Sequence, residues 1–307
     1  MAVGRFAPSP TGPLHVGNLR TALVAWLAAR STGRALLLRS EDLDPGARPE
    51  HEAGQLADLR AVGVDWDGPV VRQSARRHLY EDALADLVAA GLTYPCFCTR
   101  REIQEATRAP HGEAPEGAYP GTCRELTVRQ RAARAAGGRP PALRLRAGGA
   151  RVVVEDGLVG RHQGVVDDLV LRRNDGVPAY NLASVVDDAD QGVEEVVRGD
   201  DLLSSTPRQV HLAGLLGLRS PAHLHVPLVV GADGQRLAKR DGAVTLADLA
   251  ARGVGAGPVR AALLRSLAPA VALAADGEPE VASFAPARLP RQPWRWAPPV
   301  PGTTGRP

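Results

Sequence analysis

The chain has 307 residues, 44% of them hydrophobic, enough for two globular units at roughly 100–200 residues per domain, which excludes disorder of the chain as a whole. Apolar runs such as 35–38 and 226–230 fall far short of the ~20 residues a bilayer span needs, and the N-terminus opens on Val3-Gly4-Arg5-Phe6 rather than a charged and then apolar leader, so a cytoplasmic protein with no membrane partner is expected. Basic side chains exceed acidic ones only by 37 to 34, which admits a nucleic-acid partner without requiring one, because a surplus binds phosphate only when clustered.

Residues 3–7 read as a short strand. A Pro/Gly loop follows, then a helix from about Gly17 in which Leu19, Ala22, Leu23, Trp26 and Leu27 recur at i, i+3, i+4, i+7 and i+8. Gly33 ends it, and 35–39 reads as a buried strand stopping at the acidic cluster Glu41, Asp42 and Asp44. Strand, loop, helix, strand is one βαβ unit. With two more helices at 50–62 and 74–90, residues 1–94 read as the first half of an α/β fold, a doubly wound parallel (Rossmann-like) sheet that binds ligands beyond the carboxyl ends of its strands.

Residues 95–166 break that rhythm. They hold all the cysteines, a Pro/Gly-rich segment at 111–121 and an Arg/Ala-rich run at 129–151, and read as an inserted zinc- or acceptor-type subdomain. The second half of the sheet is expected over 167–250, from alternation at 168–173, a helix at 180–186, a strand at 195–198, a helix at 206–215 and a strand at 226–230. A short helical extension, clearest at 256–267, and a Pro-rich tail complete the chain over 251–307. With 8 of the 26 prolines beyond residue 278, that tail is expected to pack as irregular chain or to stay mobile.

Three groups of residues carry chemistry. Pro8, Pro10, Gly12 and Pro13 stiffen a loop that delivers His15, Gly17 and Asn18 to a helix start, where free N–H groups and the helix dipole suit phosphate; a plain helix-capping loop is the other reading. The 37 basic residues are 36 arginines and one lysine, Lys239, in the cationic stretch Arg236-Leu237-Ala238-Lys239-Arg240. A lysine kept against that background points to a compact, flexible ammonium on a phosphoryl group, with chance or a solvated charge run as the alternative. Cys96, Cys98 and Cys123, with Tyr119, either offer three thiolates and a phenolate to one tetrahedral zinc or are ordinary buried thiols, in a number that cannot make a complete disulfide framework.

In combination these strings resemble the class I aminoacyl-tRNA synthetases of the glutamyl type. The opening Arg5-Phe6-Ala7-Pro8-Ser9-Pro10-Thr11-Gly12-Pro13-Leu14-His15-Val16-Gly17-Asn18 carries the His-x-Gly-x signature. Arg39-Ser40-Glu41-Asp42-Leu43-Asp44, Tyr180-Asn181-Leu182-Ala183 with Val185-Val186-Asp187-Asp188, Arg198-Gly199-Asp200-Asp201-Leu202 and the loop at 236–240, similar to Lys-Met-Ser-Lys-Ser, follow in order, so the likeness spans about residues 3–250. It implies that Arg5, Ser9, Glu41, Tyr180 and Arg198 hold L-glutamate, that His15, Gly17, Asn18 and Lys239 hold ATP with Mg2+, and that His15 and Lys239 are catalytic. Fewer than 70 residues follow Lys239, too few for the anticodon-binding helices of a full-length glutamyl enzyme. The architecture therefore resembles the truncated glutamyl-Q tRNA(Asp) synthetase family, monomers that activate glutamate without tRNA and attach it to queuosine in the anticodon loop of tRNA(Asp). That likeness also implies one structural zinc on Cys96, Cys98, Tyr119 and Cys123.

Three departures stand out. Arg236 and Ala238 replace a lysine and a serine of the signature loop, which implies a looser nucleotide grip. Ser184 stands where an asparagine is common, which implies a lost polar contact and weak glutamate affinity. The run at 129–151 is an RNA-phosphate surface or a solvated face. Two other functions remain open: charging of a tRNA 3′ end, and a non-catalytic tRNA-binding role, against which the retained His15, Glu41, Arg198 and Lys239 speak.

Overall fold

Strands buried on both faces are largely apolar, and the one that reads so, β2 (Ala35–Ser40), pairs in parallel with β1 (Val3–Phe6) near the middle of the main sheet. The computed structural model describes residues 3–106, 118–235, 237 and 244–299. Its remaining strands are β3 (Val71–Arg72), β4 (Thr93–Cys96), β5 (Ala142–Leu145), β6 (Arg151–Asp156), β7 (Gly160–Val165), β8 (Val170–Arg172), β9 (Val193–Gly199), β10 (Ala222–Val226), β11 (Val229–Val230) and β12 (Trp294–Arg295). The helices are α1 (Val16–Ser31), α2 (Pro49–Ala61), α3 (Arg77–Ala89), α4 (Arg100–Ala106), α5 (Val128–Ala135), α6 (Tyr180–Asp190), α7 (Thr206–Leu215), α8 (Leu246–Ala250) and α9 (Ala256–Arg265). None is long and apolar enough to cross a membrane, among the described residues.

The main sheet has seven strands in the order β3-β2-β1-β9-β10-β6-β7, parallel except for the β6/β7 hairpin. From β1 the chain winds outward to β2 and β3 on one side and returns on the other as β9. The strand order therefore reverses at the β1/β9 boundary, where a crevice opens beyond the carboxyl ends of the strands.

Several expected elements move. Residues 151–165, read as part of the insertion, form the hairpin at the edge of the main sheet, and the segment at 168–173, read as part of the second half, forms β8 in a separate antiparallel sheet β4-β5-β8. A strand's local pattern does not name its partner, so pairing and not propensity decides which sheet each joins. The main-sheet strand expected at 226–230 lies at β10, four residues earlier, and only Val229–Val230 extend again, against β12 of the tail. Expected as amphipathic, α1 is instead buried nearly all round, because the sheet covers one side while α9 and the tail cover the other. Trp26 alone of the predicted face reaches the rim, donating its indole N–H to Asp65. Apart from β12 and two short 3-10 turns the tail is irregular up to residue 299, yet Phe284, Leu289 and Trp296 are buried in the core around α1.

Candidate active site

The Pro/Gly loop after β1 is held rigidly. Gln55 of α2 donates to the carbonyls of Ser9 and Gly12 at 3.0 and 2.7 Å, and the Glu41 and Arg48 N–H groups bond the carbonyls of Pro8 and Pro10. It delivers His15 to the N-cap of α1, where His15 Nδ1 accepts from the N–H groups of Gly17 and Asn18 while Asn18 Oδ1 accepts from His15 N–H. With Nδ1 so engaged, a neutral imidazole carries its hydrogen on Nε2. Gly17 is required for steric reasons: a Cβ there falls 2.9 Å from the His15 ring. The helix start and the β1/β9 crevice share a cavity of about 580 Å³, lined by Arg5, Ser9, His15, Gly17, Asn18, Glu41, Tyr180 and Arg198.

The floor of that cavity is a network of buried charge. Arg39 donates to Asp188 at 2.8 Å and Glu41 at 3.3 Å, and Arg5 reaches Asp188 at 3.4 Å. Adjacent on α6, Asp187 accepts from Gln73, Arg76 and Tyr80 and ties α3 beneath the site. Burial pushes the Glu41 carboxyl up despite the Arg39 and Arg5 guanidiniums, whereas in Asp188 those two guanidiniums outweigh burial and hold the carboxyl down. Ser184, expected to cost a polar contact, donates to Glu41 Oε1 at 3.3 Å from a buried position. Arg198 is buried, and burial, with Arg5 nearby, lowers its pKa below the usual guanidinium value. Its bonds run to His225, Gln209, Thr206, the Leu202 carbonyl and, at 3.4 Å, the Tyr180 hydroxyl.

A second cavity of about 680 Å³ shares Ser9, Glu41 and Tyr180 with the first and extends past Arg100, Arg139, Arg144 and Arg173 to Cys96 and Cys98. There the three sulfur atoms lie within 4.8 Å of one another, and Cys98 and Cys123 are 3.5 Å apart, close to the ~3.8 Å edge of a tetrahedron with ~2.3 Å zinc–sulfur bonds. The Tyr119 oxygen stands 3.3 Å from the Cys96 sulfur and 3.5 Å from that of Cys98, and accepts the Cys123 N–H at 2.9 Å. These residues fit a zinc ion. Burial pushes the Cys98 thiol up to about 12 and Tyr119 higher still, so a bound dication would have to displace their protons. In Cys123 burial is outweighed by hydrogen bonds from the Phe97 N–H and Tyr119, and its pKa falls. The cluster is pinned to the small sheet: Arg144 stacks on the Tyr119 ring at 3.7 Å and donates to the Asp168 carbonyl, while Tyr94 and Arg124 converge on the Asp168 carboxylate.

All the other expected glutamate and nucleotide residues thus line one cavity, whereas Lys239, with Arg236 and Ala238, lies outside the described residues. On either side of that stretch Leu237 lines the cavity and the Val244 carbonyl accepts the Val16 N–H at 2.8 Å. The string at 185–188 contains Asp188 without giving it a role, and residue patterns gave no notice of Asp156 or His225. One signal was available for the last: His223 and His225 alternate on a strand that should be apolar. The run at 129–151 contains α5, which buries none of its side chains.

Residues 1–270 match the family described as tRNA synthetases class I (E and Q), catalytic domain. The chain is 63% identical over 295 residues to a glutamyl-Q tRNA(Asp) synthetase of Nocardia farcinica, covering 95% of this chain and 92% of that protein. It is 55% identical over 284 residues to one of Cutibacterium acnes, covering 92% and 78%. In structure it is similar to the glutamate tRNA ligase of Elizabethkingia meningosepticum solved in complex with its amino acid, with a TM-score of 0.78 and 26% identity over 97% of this chain and 67% of that one. The site architecture and these similarities together place the chain among the class I tRNA synthetases for glutamate and glutamine and, within them, in the glutamyl-Q tRNA(Asp) synthetase family, enzymes of the ligase type.

Proposed function

We propose that this enzyme activates L-glutamate with ATP to glutamyl-adenylate in the absence of tRNA and then transfers the glutamyl group to queuosine in the anticodon loop of tRNA(Asp), in the cytoplasm and as a monomer. The observation that carries the reading is the meeting, in one cavity, of a helix start suited to phosphate with two buried guanidiniums, Arg5 and Arg198, and the carboxylate Glu41. Glutamate brings two carboxylates and one ammonium. Arg198 with Tyr180 pairs the side-chain carboxylate, Glu41 accepts from the ammonium, and Arg5 and Ser9 position the α-carboxylate.

An oxygen of that α-carboxylate attacks the α-phosphorus of ATP, the bond to the β-phosphate oxygen breaks, and pyrophosphate leaves. Donors preorganised where charge develops lower this barrier. His15 Nε2–H and Lys239 are those donors, the positive end of the α1 dipole adds to them although its Gly17 and Asn18 N–H groups are capped by His15, and Mg2+ carried with ATP offsets phosphate charge. The second cavity, with its four arginines, receives the RNA and leads the acceptor nucleoside past Tyr180 to the adenylate. Zinc on Cys96, Cys98, Tyr119 and Cys123 holds the wall of that cavity and takes no part in the chemistry.

The test has two stages. Glutamate-dependent ATP–pyrophosphate exchange is expected without any tRNA and is expected to be weak with other amino acids. Glutamylation is then expected for tRNA(Asp) that carries queuosine but lacks its 3′-terminal adenosine, and not for tRNA(Asp) that has the adenosine but lacks queuosine. The reverse pattern would make the enzyme a 3′-end ligase, and an absence of exchange would leave a binding protein.

A further inference from the structure

Arg198 is a buried cation held by neutral groups. Among the described residues no carboxylate lies within ion-pair distance of it; its three nitrogens instead donate to His225 Nε2 at 2.9 Å, Gln209 Oε1 and Thr206 Oγ at 2.8 Å each, and more weakly to Tyr180 and Leu202. Burying an unpaired charge is costly, so such a cage is explained most simply by a site that keeps its charge for an anion.

The cage depends on one proton. His225 Nε2 has one lone pair, which must accept from Arg198 Nε–H, and it lies 3.1 Å from Thr206 Oγ, which accepts from Arg198 Nη2. The ring hydrogen must therefore sit on Nδ1, which faces Asp156 Oδ2 at 2.6 Å. Asp156 is itself fixed at the end of β6: its Oδ1 accepts from the N–H groups of Leu158 and Val159, and the carboxylate also accepts the His225 N–H. Burial disfavours an imidazolium at His225, against the pull of Asp156 and with that of Arg198.

We propose that Asp156 and His225 form a tautomer lock that positions Arg198 and leaves its charge uncompensated for the side-chain carboxylate of the amino-acid substrate, making His225 and Asp156 positioning residues for recognition of that acid. This rests on the assignment of Arg198 to the substrate carboxylate made above. The wrong tautomer would aim Nε2–H at Arg198 Nε–H, two donors face to face, and turn the guanidinium away. A carboxylate in place of His225 would neutralise it. An imidazole does neither, with the counter-charge one ring away.

The experiment combines histidine 15N NMR with steady-state pyrophosphate exchange. In the wild type His225 is expected to show a protonated Nδ1 and an unprotonated Nε2. In Asp156→Asn the amide oxygen is held by the backbone N–H groups, the NH2 faces Nδ1, and the proton is expected on Nε2. His225→Leu is expected to raise KM for glutamate roughly 10- to 100-fold, as for a lost hydrogen bond to a charged group, with KM for ATP changed less than about threefold. His225→Gln, which keeps an acceptor, is expected to recover most of the loss. A wild-type proton on Nε2, an unchanged glutamate KM in His225→Leu, or equal rises in both KM values with no rescue by Gln would overturn the proposal. If a variant fails to fold, the wild-type tautomer still decides. If the wild type lacks glutamate-dependent exchange, the proposed function fails, and the position of the His225 proton still decides independently whether the lock exists.

Discussion

At the scale of single residues, the composition makes its own case for Lys239. Where 36 of 37 basic positions are arginine, an arginine is readily accommodated almost everywhere, so this position retains what a guanidinium cannot supply: a compact charge on a flexible stem. Lys239→Ala is expected to slow pyrophosphate exchange by about 10²–10³, the cost of one preorganised donor, and Lys239→Arg to slow it less but clearly. Wild-type turnover in the arginine variant would reduce the lone lysine to an accident of composition. His223 permits a second prediction. Burial first, then Arg198 and His225, lowers it from 6.5 to about 3, so below pH 6.5 the unfolded chain takes up a proton that the folded chain refuses. Its contribution is therefore complete above pH 6.5 and is lost as the pH falls toward 3. Between pH 6 and 4 the dependence of unfolding free energy on pH is expected to be shallower in His223→Gln by about 1.4 kcal/mol per pH unit, measured by urea titration.

Among the elements, the tail and α1 explain each other. A helix buried nearly all round needs a cover on the side away from the sheet, and α9 and the Pro-rich tail provide it. Trp296 is 5% exposed and its N–H bonds the Val230 carbonyl, which sets β12 beside β11, next to the cavity wall formed by Val229. Arg20 of α1 reaches across to Ser266 Oγ and the Pro227 carbonyl, and burial lowers its pKa to about 10. Trp296→Ala is expected to cost about 3–5 kcal/mol of unfolding free energy, as for a buried aromatic, and denaturant unfolding monitored by circular dichroism measures it. A loss under 1 kcal/mol would mean that the tail is a loose appendage.

For the whole molecule, the question is how the small sheet stays in register with the large one. Leu145 and Leu171 of the small sheet share an apolar core with α3, α6 and α7, and polar ties add direction: Arg208 of α7 pairs with Asp167 at 2.6 Å, whose other oxygen accepts the Tyr119 N–H, and Asp168 beside it gathers Tyr94, Arg124 and the Ala147 N–H. A metal at Tyr119 and the cysteines would therefore brace the wall of the second cavity. Protein purified without chelator is expected to contain about one zinc per chain by elemental analysis, and its removal to lower Tm. Zinc-free protein with an unchanged Tm would return the cluster to three buried thiols.

The βαβ opening, the helix start at His15 and Gly17, and the residues now gathered around one cavity are legible in the chain's residues alone, because these are local signals: period, punctuation by proline and glycine, and short strings with a chemical purpose. Helix 206–215 was legible for the same reason. Which strands share a sheet, the cover on both sides of α1, and the reach of Asp156 and Asp188 into the site emerge only when distant segments pack together. The bonds responsible join residues 69 and 183 positions apart, Asp156 to His225 and Arg5 to Asp188. No periodicity extends over such distances. A β-strand's pattern states that one face or both will be buried but not against which partner, so pairing, and with it the cage around Arg198, is settled only when the strands assemble.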